Sequence, residues 1–97
     1  RGLVVITGCG HAGVINTVRY ARKLTGVERV HAVIGGLHLA TPVFEATIRP
    51  TVEALVELAP QVVVPAHCTG WRATHALAAA LPDAFVPGSV GTRYILQ

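Results

Sequence analysis

Three short apolar runs, each closing on small residues and a histidine, constrain this chain more than any other feature. Leu3-Val4-Val5-Ile6 leads into Thr7-Gly8-Cys9-Gly10-His11-Ala12-Gly13. Val30-His31-Ala32-Val33-Ile34 leads into Gly35-Gly36-Leu37-His38-Leu39, and Val62-Val63-Val64-Pro65 into Ala66-His67-Cys68-Thr69-Gly70. Near-continuous β-branched runs of this length read as buried strands, and the small residues after each read as turns. The spacers are long enough for helices. The chain is therefore expected to be α/β, alternating β-α-β-α-β-α-β around a mostly parallel sheet.

The first spacer places Val14, Val18, Ala21 and Leu24 at helical spacing, with Arg19, Arg22 and Lys23 on other faces and Gly26 as a stop. In the second, Pro50 would break a helix running through it. A loop or short helical turn is expected over residues 39–47, despite the start signal Thr41-Pro42, and a helix over 50–59. Thr69 is expected to cap a third helix over 70–81, stopped by Pro82. Phe85-Val86 and residues 92–96 read as one or two short strands around Pro87-Gly88-Ser89. In parallel α/β sheets, ligands bind beyond the C-terminal strand ends. All three histidine clusters fall there.

Ninety-seven residues make one domain, residues 1–97, yet 52% of them are hydrophobic and only 13% charged, against about a quarter charged in ordinary soluble domains. So small a domain buries a limited share of its surface. Part of the apolar surface is expected to meet something outside the chain. The sequence starts at Arg1, lacks methionine and enters a strand almost at once, as the back half of a larger domain would. The expected partner is a missing N-terminal half, or a second copy pairing through an apolar sheet face.

The net charge of +3 is scattered, with Arg22-Lys23 the only adjacent basic pair. No basic stripe with interleaved aromatics is present, so nucleic acid is not an expected partner. The apolar runs are too short to span a bilayer and no signal peptide is visible, so no membrane association is expected. Two cysteines beside histidines suggest metal ligands or buried thiols rather than a disulfide framework, in keeping with a cytoplasmic setting.

Cys9 and His11 place a thiolate and an imidazole two positions apart, a donor pair suited to zinc or iron. The same stretch satisfies G-x-G-x-x-G through Gly8, Gly10 and Gly13, the dinucleotide-binding fingerprint. That alternative wants an acid at the end of the next strand, which instead ends on Gly35-Gly36. Adjacent strand residues point to opposite faces, so His67 is expected in a site and Cys68 in packing. His38, after two glycines, is expected as a ligand, proton donor or substrate contact. His31 reads as structural and His75 as a surface residue. Glu45, Glu53, Glu57 and Asp83 form no paired-carboxylate pattern, and Ser89 has no base predicted beside it. Free backbone N–H groups at Thr69 and Gly70, with Arg72 nearby, offer a place for a substrate phosphate.

Taken together, residues 7–16, 34–39 and 64–70 resemble the C-terminal half of the metallo-β-lactamase-fold metal-dependent hydrolases. The branch they resemble is that of the dihydropterin ribofuranosylaminobenzene phosphate synthase. The resemblance covers nearly the whole chain, to Arg93. It implies one half of an αβ/βα sandwich, a divalent metal (zinc, with iron or manganese as alternatives), and attack by activated water on an ester or phosphoester of a small molecule. It aligns His67 with the last metal-binding histidine, and Cys9 with a position that many members fill with a metal-bridging aspartate. His11 and His38 belong to the branch's own motifs, as ligands or substrate contacts. The family's His-x-His-x-Asp-His motif is absent, so the chain alone is expected to be inactive. Against this stands a non-catalytic module that pairs through its sheet face.

Overall fold

A computed structural model describes residues 1–96. Strands β1 (Leu3–Thr7), β2 (Val30–Gly36) and β3 (Val62–Ala66) form one parallel sheet in the order β1-β2-β3. Helix α1 (Val14–Thr25) connects the first pair. The second connection holds a single helical turn, α2 (Pro42–Glu45), and then α3 (Ile48–Leu58). After β3 come a 3₁₀ turn, His67–Thr69, and helix α4 (Trp71–Ala80).

The register explains where the core sits. Val5, Val33 and Val63 lie side by side across the three strands. They share one buried cluster with Val14 and Val18 of α1, Val52 and Leu55 of α3, and Ala73 and Leu77 of α4. The helices thus cover one face of the sheet. Leu55, Leu77 and Val18 are fully enclosed, and each such burial contributes about 1.5–3 kcal/mol.

The alternate residues form the second face: Val4, Ala32 and Val62 in one row, Ile6, Ile34 and Val64 in the next. The C-terminal segment meets this face at β3, where Gly88 packs against Val64, and Ala32 and Val64 are buried on it. On β1 the face is open, with Val4 40% and Ile6 74% exposed.

Local signals act largely as expected. Gly26 ends α1 in the left-handed conformation, φ 71°, and donates its N–H to the Arg22 carbonyl. Pro50 is the third residue of α3 rather than its start, because first-turn N–H groups have no intrahelical acceptor and proline loses nothing there. Helix α4 is capped by Gly70 without a side-chain bond, not by Thr69. The expected fourth strand is reduced to a bridge between Val63 and Phe85, and residues 92–96 join no ladder. Val86 donates its N–H to the Val63 carbonyl, but the following Pro87 has no donor to continue the pairing. Among the described residues, no helix is long and apolar enough to cross a membrane.

Candidate metal centre

The three strand ends are tied together by backbone and hydroxyl hydrogen bonds before any site side chain is counted. Thr7 Oγ1 donates to the Gly36 carbonyl at 2.7 Å, and the Gly36 N–H to the Gly8 carbonyl at 3.2 Å. The Leu39 and Ala40 N–H groups share the Cys68 carbonyl, each at 3.0 Å. A β-carbon on Gly36 would lie 2.4 Å from the Gly8 carbonyl oxygen and 3.0 Å from Cys68 Sγ. Only glycine lets the outer strand ends close over the middle one.

Two of the histidines leave their strands in the left-handed conformation, His38 at φ 55° and His67 at φ 54°. Such angles are uncommon outside glycine and concentrate at functional sites. Here they redirect the side chains that follow the strands.

Cys9 is the centre of the resulting cluster. Its Sγ lies 2.9 Å from Cys68 Sγ and 3.7 Å from His38 Nδ1. Donor atoms of Cys9, His11 and His38 lie within 4.8 Å of one another, and so do those of Cys9, His67 and Cys68. Cys9 belongs to both triads. The ring of His38 lies between His11, tilted at 46° with centroids 4.3 Å apart, and Phe44 of α2, edge-on at 61° with centroids 4.6 Å apart. His11 and His67 are exposed, whereas Cys9, His38 and Cys68 are half-buried. A recess of about 200 Å³ opens beside the first triad, lined by Gly10, His11, His38, Phe44 and Thr47 among others.

The Cys68 thiol facing Cys9 and partial burial together hold the Cys9 thiol above its ordinary pKa. Two thiolates at this separation repel unless a cation lies between them. Soft sulfur with imidazole is the donor set that zinc and iron(II) take, and metal binding deprotonates the thiols. The residues present therefore fit a divalent metal.

Cys68 is the residue that strand alternation misplaces. It was expected to pack away from His67, but residues 67–69 form a 3₁₀ turn, so the period of two no longer applies. Cys68 Sγ instead donates to the Cys9 carbonyl at 3.0 Å and accepts the His38 N–H at 3.2 Å. The only signal in the sequence was a second cysteine at a strand end.

The Thr69 side chain is committed within the chain. It is 1% exposed, donates to the Ala66 carbonyl at 2.8 Å and accepts the Leu37 N–H at 3.1 Å. Arg72 is exposed, paired with Glu45 at 3.1 Å and lying over the Trp71 ring. The anion site expected at the Thr69 and Gly70 backbone N–H groups therefore draws nothing from the Thr69 hydroxyl, and the arginine beside it is shared with Glu45. His31 is buried and bonded to Gln61 Oε1, and His75 is exposed on α4 against Trp71.

The dinucleotide alternative lacks its acid, since β2 ends on Gly35-Gly36. A β-carbon on Gly10, φ 78°, would stand 2.6 Å from the Gly36 carbonyl. This glycine lets the turn after β1 close on the end of β2.

No family model matches the chain. In structure, 98% of it superposes with a TM-score of 0.87, at 34% identity, on Tm1679, a metal-dependent hydrolase of the beta-lactamase superfamily. The matched part is 36% of that protein. The fold is that of the metallo-β-lactamase-type metal-dependent hydrolases. In sequence, the chain is 37% identical over 73 residues to the 7,8-dihydropterin-6-methyl-4-(beta-D-ribofuranosyl)-aminobenzene-5'-phosphate synthase of Methanocaldococcus jannaschii. An uncharacterized protein of the same organism is 35% identical over 88 residues. These matches take in 75% and 91% of this chain, but only 24% and 32% of the two relatives. The chain spans about a quarter to a third of the length of the curated relatives it matches.

Proposed function

We propose that the chain supplies one side of the metal centre of a hydrolase acting on an ester or phosphoester of a small, cytoplasmic molecule. The observation that carries this reading is the convergence of Cys9, His11, His38, His67 and Cys68 from three strand ends in a chain similar to a metal-dependent hydrolase. Cys9 holds a divalent metal with His11 in one triad and His67 in the other, zinc first and iron or manganese as alternatives. A metal so held acts as a Lewis acid and lowers the pKa of water. His38, held between the rings of His11 and Phe44, holds or moves a proton beside the recess. The name of the synthase relative denotes a product carrying a dihydropterin ring, an aminobenzene and a phosphate, and small molecules of that chemistry are the ones to test on this site.

The described residues offer only histidine and cysteine to the cluster, and no His-x-His-x-Asp-His motif occurs in the sequence. The chain alone is therefore inactive under this reading. The open row of Val4 and Ile6 receives the N-terminal half, or a second copy. A wholly non-catalytic pairing module is the rival reading, favoured by the same open face.

Elemental mass spectrometry on chelator-free protein separates the two. Near-stoichiometric metal, reduced at least tenfold in affinity by His67→Ala, is the outcome expected of a metal centre. Metal content unchanged in that variant defeats the assignment of His67, and a metal-free dimer favours the pairing module.

A further inference from the structure

Strands β1 and β3 are not neighbours; β2 lies between them, and two ladder spacings separate their axes by about 9–10 Å. Yet the sulfurs that follow them are 2.9 Å apart. They meet above the end of β2 because Gly36 has no side chain: a β-carbon there would stand 3.0 Å from both Cys68 Sγ and the Cys9 α-carbon. Cys68 is also held against the Cys9 carbonyl. Each thiol lies on a turn just past its strand and is half-buried, open to a small reagent. A covalent S–S bond of about 2.05 Å requires the sulfurs to approach by only about 0.9 Å.

We propose that Cys9 and Cys68 are a reversible dithiol–disulfide pair, and that closing it takes the Cys9 sulfur away from the metal. The first half stands on the geometry above. The second rests on the reading of Cys9 as a ligand. The oxidant is a low-molecular-weight disulfide. The Cys9 thiolate attacks it, forming a mixed disulfide and releasing one small thiol. The Cys68 thiolate then attacks the Cys9 sulfur, releasing the second. Two protein thiols are oxidised, one small disulfide is reduced, and the two protons leave on the released thiols. A disulfide sulfur is a poor metal ligand, since the thiolate is the binding form. The bond also staples the turns after β1 and β3, which are 59 residues apart in sequence.

The test treats zinc-loaded and metal-free protein with oxidised glutathione, followed by intact mass, tryptic mapping without reduction, and zinc release to a chromophoric chelator. The expected result is loss of two hydrogens, linkage of the peptides carrying Cys9 and Cys68, reversal by a dithiol, and zinc release on the same time course. Cys68→Ser is expected to accumulate a stable glutathione adduct on Cys9 in place of the link. A wild-type protein that keeps such an adduct, or forms no link in either metal state, overturns the pair, and that result needs no variant. A link that forms without zinc release leaves the pair standing and removes Cys9 from the ligands.

Discussion

The two faces of the sheet are built from the same kind of residue and have opposite fates. Val5, Val33 and Val63 disappear beneath three helices. One position away along β1, Val4 and Ile6 stand open. Composition cannot separate them, because both rows are β-branched. What separates them is that every helix in contact with the sheet packs on the same side. The stability of the chain itself therefore resides on the helix side, and the pairing proposed above would use the other.

The largest effect is expected from the enclosed face. Leu55→Ala leaves a cavity among α3, the sheet and α4, and should lower unfolding free energy by about 2–5 kcal/mol, read from the urea midpoint. A loss below 1 kcal/mol would mean that α3 is not a closed layer. Next come substitutions at the rim, where the faces meet the site. Gly36→Ala drives a β-carbon into the Gly8 carbonyl and should cost about 1–3 kcal/mol. It should also abolish glutathione-driven linkage of Cys9 to Cys68; a linked, equally stable variant would show that Gly36 does not set their approach.

Thr69→Val removes a buried hydroxyl and strands the Leu37 N–H. A thermal melt should show a comparable or somewhat smaller loss, about 1–3 kcal/mol. The smallest effect belongs to the open face. Ile6→Thr should change the stability of the chain by less than about 0.5 kcal/mol, while weakening any dimer or assembly with a partner half on sizing with light scattering. A melt depressed as strongly as that of Leu55→Ala would erase the contrast between the faces.

Much of this architecture was legible because its causes are local. The β-branched runs at Val4, Val33 and Val63 state their own conformation. The spacing of Val14 and Val18, or of Val52 and Leu55, states a buried helical face. Gly26 marks a helix end by its freedom to take positive φ. The failure at residues 92–96 is of the other kind. A strand needs a neighbour with free donors and acceptors, and whether β3 offers one past Val63 is not a property of residues 92–96.

The site divides along the same line. That Cys9, His11, His38 and His67 stand just past strand ends followed from the runs before them. Where Cys68 and Thr69 point did not. Both lie in a 3₁₀ turn entered through a left-handed His67, a conformation held by the N–H groups of Leu37, His38, Leu39 and Ala40 on the neighbouring strand end. Those donors are about thirty residues away in sequence. Sequence alone determined at which edge of the sheet Cys9, His11, His38 and His67 gather, since strand and helix periodicity are local. Only tertiary structure decided that Cys68 joins Cys9 while Thr69 turns into the core, because non-local hydrogen bonds, not the residues' own preferences, set the backbone there.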